Sequence, residues 1–387
     1  MRILSLWAKV FMSICFMAFT AFAQSNTATG NSTAFNPAIS INGLFLGFYG
    51  SDPLSRGEAF GDLHHREEEG EHEGEEHDEE GEAHEEEAHG HGHGLPDENG
   101  LSIQEIELRF TSTVDAYFKA DMTLAIPGTE GIEVETAEIT TTNLPNLTIK
   151  AGKFFADLGK HNALHTHAFP FLDAPIAHER ILGGEGLNEI GVSANLLLPT
   201  AWYSEFTLQL FNGDNERFNS ADSGDMAYLA KWKNLWDLSD DTTLELGGTY
   251  AFGKNSHAQY TNIFSGDLTF KWRPSRRTQD RGFILQAEYL QARLNDGADT
   301  EKVGGLYALA QYQFARRWWI QSRYDIFGLP KLEPNREHRI SSLIAFAPSE
   351  FSALRLQHSY NKEGNKSIHQ FALQLNFTIG AHPAHAY

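Results

Sequence analysis

The chain has 387 residues, 41% of them hydrophobic, with 30 Lys and Arg against 52 Asp and Glu and a formal net charge of −22. Its single cysteine, Cys15, lies in an N-terminal apolar run, so disulfides, cysteine-ligated zinc and cysteine nucleophiles are excluded for the exported chain. No basic patch with interleaved aromatics is present, which excludes nucleic acid as a partner, and no later segment approaches the roughly 18 apolar residues of a spanning helix, so strands must make any membrane passage.

Residues 1–23 combine Arg2 and Lys9, an apolar run from Val10 to Phe22 and the small-x-small site Ala21-Phe22-Ala23. That is the layout of a secretory signal, expected to be removed. A short segment, 24–36, follows. From Pro37 to residue 380 the apolar period is two, the signature of strands with one apolar and one polar face. In the last of them Phe371, Leu373, Leu375, Phe377 and Ile379 alternate with Gln370, Ala372, Gln374, Asn376 and Thr378. Strands are expected at 38–49, 101–114, 116–126, 131–142, 147–155, 187–198, 202–212, 225–234, 242–252, 261–273, 281–293, 305–316, 317–327, 336–347, 350–361 and 367–379. The fold class is therefore all-β: a transmembrane antiparallel β-barrel of about 16 strands with aromatic strand ends. With both ends in the periplasm, the odd connections are long and external while the even ones are short turns such as Pro199-Thr200-Ala201.

The first external connection, 50–100, contains thirty residues, 64–93, with 14 acids against one arginine, so most of the net charge sits in one segment. This stretch cannot bury a core and reads as disordered. It carries eight histidines: His64, His65, His72, His77, His84, His89, His91 and His93. Imidazole and carboxylate are the ligands that Zn²⁺, and also Ni²⁺, Co²⁺ and Cu²⁺, accept when no thiol is available. Overlapping ligand sets on a flexible strand make a collector of exchangeable ions, with affinity falling as histidines protonate. A hydrated acidic shield needs acids only, and the histidines set this segment apart from one.

The connection after the fifth strand, 156–186, is too long for an idle hairpin and holds Phe169, Phe171, Leu172, Ile176, Ile181 and Leu182. It is expected to fold inward and narrow the lumen, where selectivity is set. Within it, His161, His165, His167, Asp173 and His178 are candidate metal ligands. His161 and His165 share one face if the stretch is helical; the alternative is that these histidines only hydrogen-bond a packed loop. Glu179 and Arg180 are expected to pair with lumen charges. A periplasmic tail, 381–387, adds His382 and His385. Lys119, Lys150, Lys231, Lys271 and Arg273 alternate onto polar faces with Asp121, Glu245, Asp267 and Glu288, giving no single-sign lining.

The insert after the first strand, the run GKFFADLGKHNALHTHAFPFLDAP from Gly152 to Pro175, LGGEGL from Leu182 to Leu187 and GAHPAHAY from Gly380 to Tyr387 resemble a family of zinc-regulated outer-membrane receptors whose barrel is similar to phosphate-selective porins. The resemblance covers essentially the whole mature chain and implies passage of zinc across the bacterial outer membrane. It does not carry over energy coupling, since a plugged transporter needs 22 strands and a preceding plug domain.

The leading expectation is thus a porin-like channel that gathers and passes divalent metal, zinc first, with no resident cofactor and no enzymatic role. His257 and His358 lie in or near strands without a nucleophile motif beside them. Expected partners are outer-membrane lipid, divalent metal ions, the barrel-assembly machinery and, as is usual for 16-stranded porins, two further copies in a homotrimer. The alternatives are a general or anion-selective porin with a surface-shielding loop and a non-conducting metal-binding receptor.

Overall fold

The computed structural model describes residues 37–51, 94–96, 98–129, 131–222, 224–277, 279–295, 297, 299–331 and 336–380. The signal segment, residues 24–36, the eight insert histidines and the tail with His382 and His385 lie outside the described residues.

Alternation of apolar and polar side chains produces sixteen strands: β1 (Ala38–Gly50), β2 (Gly100–Thr113), β3 (Phe118–Pro127), β4 (Glu133–Thr141), β5 (Leu147–Phe155), β6 (Asn188–Leu197), β7 (Tyr203–Phe211), β8 (Ala227–Ser239), β9 (Thr242–Lys254), β10 (Tyr260–Trp272), β11 (Gly282–Asn295), β12 (Thr300–Ala315), β13 (Trp318–Leu329), β14 (Glu337–Ser349), β15 (Ser352–Glu363) and β16 (Lys366–Gly380). Each pairs antiparallel with its neighbours in sequence, and β1 closes on β16 from Ser40↔Gly380 to Gly50↔Gln370. Closure leaves no unpaired edge, which is what a lipid environment demands of strands.

The sixteen strands coincide with those read from the sequence. The largest differences are β8, which runs on to Ser239 through a bulge near Asp237, and β12, which starts at Thr300. In β12 the extension runs from Thr300 to Gly304 and begins with Thr300-Glu301-Lys302, polar residues that stay paired with β11, so hydropathy alone does not signal its start.

Exposure is inverted relative to a water-soluble fold. Phe371, Leu373 and Leu375 are 47%, 46% and 45% exposed, whereas Gln370, Gln374 and Asn376 are buried. An apolar outer belt and a polar interior are the arrangement of a membrane barrel. Aromatic rings ring one rim, with Trp202 stacked on Trp236 and Trp318 tilted against Phe346, and Tyr228, Tyr250, Tyr260 and Tyr324 ring the other. Among the described residues no helix is long and apolar enough to cross a membrane.

The core lies inside the barrel. The β5–β6 connection carries a 3₁₀ turn, Thr166–Ala168, and one short helix, α1 (Ile176–Leu182). Its Ile176, Ala177, Ile181 and Leu182 pack on Phe211, Leu229, Ile263, Leu290 and Phe327 of the inner wall. Phe171 and Leu172 pack on a second group with Tyr307, Leu309, Trp319 and Leu343. Burial of each such side chain is worth about 1.5–3 kcal/mol. The inward fold expected of 156–186 is therefore driven by the loop's own apolar residues.

Candidate functional site

The loop is clasped at its neck. Asn162 donates to the carbonyls of Ala156 at 2.8 Å and Leu187 at 3.0 Å and accepts from the Leu187 amide at 2.8 Å, joining the two ends of the loop. Just before it, Gly159 adopts φ +60°, and a Cβ there would overlap the Glu288 carboxylate of β11. That carboxylate accepts from the amides of Lys160 and His161, Ser265 Oγ and Tyr307 OH. Gly159→Ala is therefore expected to cost about 1–2 kcal/mol through its left-handed backbone alone, more with the overlap, and to detach this corner from the wall. Faster cleavage of the loop by trypsin in the folded barrel measures it.

Three consecutive residues then address three lumen carboxylates. His165 Nδ1 lies 2.7 Å from Glu135 Oε2 of β4, Thr166 Oγ1 donates to Glu105 Oε2 of β2 at 3.0 Å, and His167 Nδ1 lies 2.6 Å from Glu107 Oε1. The two imidazoles stack with centroids 5.7 Å apart. Glu105, Glu107 and Glu135 are all buried, and Glu135 Oε1 has no hydrogen-bond partner among the described residues. Ligand atoms of Glu107, Glu135 and His165 lie within 4.8 Å of one another. Buried carboxylates brought this close need neutralising by protons or cations.

Two cavities flank this group along the β2–β5 wall. Towards the external rim, about 40 Å³ is bounded by Glu105, Glu133, Glu135, Glu185 and Lys153. Towards the periplasmic rim, about 240 Å³ is lined by Arg109, Asp121, Glu138, Lys150, Asp157 and His165. There Arg109 pairs with Asp121 at 2.6 Å and Lys150 with Glu138 at 3.2 Å, so cations and anions largely cancel, whereas the outer cavity is predominantly acidic.

The opposite wall holds the loop by cations. Arg355 of β15 donates to the carbonyls of Phe169 and Pro170 at 2.8 and 2.6 Å. Arg323 of β13 reaches the Asp173 carbonyl at 2.8 Å, and Arg339 of β14 reaches Asp173 Oδ2 at 2.6 Å. Asp173 Oδ1 accepts from Gln357 at 2.8 Å and lies 3.2 Å from Arg323. Arg339 also binds Glu179, and Arg180 binds Glu337, each at 3.1 Å, which is the pairing with lumen charges expected of Glu179 and Arg180.

Of the loop residues singled out from sequence, the structure brings His165 and His167 together, and separately His161 and His178, whose ring centroids are 5.0 Å apart. His178 Nε2 lies 3.2 Å from Glu288 Oε1. The helical spacing of His161 and His165 is not realised: a turn from His161 to Leu164 sends the two rings to different walls. Asp173 stands apart from these histidines: its oxygens accept from two guanidinium groups and an amide. Glu105, Glu107 and Glu135 were missed, although strand parity places the first two on the polar face of β2. Arg323, Arg339 and Arg355 were missed as well, although they too lie at inward positions of their strands.

The closed barrel of sixteen strands with an inward third external loop is that of bacterial outer-membrane porins. The fold is similar to the anion-selective porin of Comamonas acidovorans, with TM-score 0.57 and 10% identity over 89% of this chain and 100% of that one. It is likewise similar to OprB of Pseudomonas putida, with TM-score 0.57 and 9% identity over 89% and 94%, and to the channel DcaP of Acinetobacter baumannii, with TM-score 0.54 and 12% identity over 89% and 96%. In sequence, the chain is 30% identical over 352 residues to an uncharacterized protein of Aquifex aeolicus, spanning 77% of this chain and 73% of the relative. The chain belongs to one family with that protein. No protein-family profile matches it.

Proposed function

We propose that this outer-membrane barrel passes divalent cations, zinc first, into the periplasm along its β2–β5 wall, with His165, Glu135 and Glu107 as the exchange site. The observation that carries the reading is the convergence of their ligand atoms within 4.8 Å. Zinc bonds imidazole and carboxylate at about 2.0–2.2 Å, so small movements bring all three onto one ion. The ion enters by displacing the proton shared between His165 and Glu135, and the adjacent His167–Glu107 pair supplies a second stop. Two or three ligands without a thiol give the weak, reversible binding a channel needs. The resemblance to zinc-regulated outer-membrane receptors supports the same cargo. The histidines between His64 and His93 gather ions outside, and His382 and His385 receive them inside.

A second reading, an anion-selective porin, is favoured by the arginines of β13–β15 and by the Comamonas neighbour's own selectivity. In this chain those arginines are engaged by the loop, and the acidic cavity lies at the external side of the opposite wall. Reversal potentials in planar bilayers separate the two: the metal reading expects cation selectivity and block of potassium current by zinc. Anion selectivity indifferent to zinc would overturn it. Deleting residues 64–93 should leave conductance intact and lower uptake at limiting zinc; unchanged uptake removes the gathering role.

A further inference from the structure

The outer face of β12–β16 breaks the bulky apolar pattern in one row. Ala310, Ser322, Ser342, His358 and Phe371 are successive cross-strand partners over five strands. The outward row towards the periplasmic rim is bulky, with Tyr312, Ile320, Ile344 and Leu356, and so is the row towards the external rim, with Tyr324, Ile340 and Tyr360. Between them the three small side chains leave a trough of about 500 Å³ with an apolar lining. Ser322 and Ser342 are exposed, and their hydroxyls make no hydrogen bond among the described residues. Such hydroxyls in a lipid-facing belt suit a ligand that brings its own polar groups.

Above the trough the outer face carries imidazoles and a lysine. His358 Nε2 lies 3.1 Å from His369 Nδ1 with the rings stacked, and Tyr324 OH lies 2.8 Å from His338 Nδ1. One row higher, His338 and Lys362 are direct cross-strand partners. No carboxylate occupies an outward position on β13–β16 among the described residues; Glu337 is buried and points inward to Arg180. Outward rows are about 7 Å apart along a strand. On strands tilted by about 45°, Lys362 therefore lies roughly 10 Å shallower than the trough, the offset between a headgroup phosphate and the upper part of an acyl chain.

We propose that this face is a specific binding site for a phosphorylated, multiply acylated lipid of the outer leaflet, with an acyl chain in the trough and its phosphate on Lys362 and the neighbouring imidazoles. The absence of outward carboxylates among the described residues and the depth of Lys362, with imidazole donors beside it, fit a phosphate at the membrane surface. The Tyr324, Tyr360 and His338 ring forms the lip between the two parts, and the serine hydroxyls face the chain's ester and hydroxyl oxygens.

Native mass spectrometry of the folded barrel, incubated with diphosphoryl lipid A and stripped by detergent exchange, tests the site. The wild type should retain a single lipid. Two variants act on different parts: S322L/S342L fills the trough, and H338Q/K362Q removes the charge. Each should lower retention by about tenfold while both keep the compact gel migration of a closed barrel. Undiminished retention in both overturns the proposal, as does binding of an uncharged diacylglycerol as tight as that of the diphosphoryl lipid. If S322L/S342L instead turns a wild-type oligomer into monomers with retention unaltered, the face belongs to a second copy of the chain and the lipid assignment falls.

Discussion

Replacing His165 by alanine is expected to weaken zinc block of the single-channel current by about 10- to 100-fold, the scale on which loss of a ligand or its immediate support acts on metal sites. The effect should reappear with Glu135→Gln, which keeps the volume of the side chain and removes the charge. It should be small for His178→Ala, whose ring lies at the Glu288 corner, away from the β2–β5 wall. Block should also weaken as pH falls, because zinc and the proton compete for the same nitrogen and carboxylate oxygens. Blocking curves identical between wild type and His165→Ala would show that the constriction does not hold the ion. Calorimetric titration of zinc into the folded barrel gives the same comparison without current.

The second large effect concerns Asp173. It is buried between Arg323 and Arg339, and Asp173→Ala leaves two buried guanidinium groups without their shared counter-charge. Removing one member of such a buried network costs about 3–5 kcal/mol. Strand pairing does not depend on Asp173, so the cost should fall on the attachment of the loop between Phe169 and Leu182 rather than on the barrel. The variant should migrate as a closed barrel, conduct more than the wild type and lose zinc block, since the same loop carries His165. Unchanged conductance with intact zinc block would mean that the arginine carbonyl contacts and the apolar packing of α1 hold the loop unaided.

The strands and their order were legible because lipid outside and water inside impose a strict two-residue period, and sixteen such runs appear in the chain. The inward loop was legible from Phe171, Ile176 and Ile181, apolar residues with no reason to face water. Which histidine meets which acid was not legible. His165 and Glu135 are 30 residues apart and His167 and Glu107 are 60 apart, and their meeting depends on how a loop of irregular backbone lies against the wall. Helical spacing suggested a pairing of His161 with His165 that the intervening turn prevents. Asp173 looked like a ligand because carboxylates near histidines usually do; its real neighbours, Arg323 and Arg339, stand on strands 150 or more residues later. The parity of those strands already put both arginines on the inner face, so a census of inward charges by strand finds the opposing acidic and basic walls.

The distance along the chain between the loop and its holders bears on how the protein is built. Contacts from Arg323 and Arg355 span 149 to 186 residues, so they exist only once the two walls of the barrel face one another. Long-range contacts of this kind form late in folding. The neck clasp and the contacts with Glu105, Glu107 and Glu135 span only 6 to 61 residues and need no strand beyond β5. Once β1 and β16 have sealed, there is no gap through which Phe171 and α1 could be drawn in sideways. The grip of the loop on the acidic wall is thus local in the chain, and its grip on the arginine wall is complete only in the closed barrel.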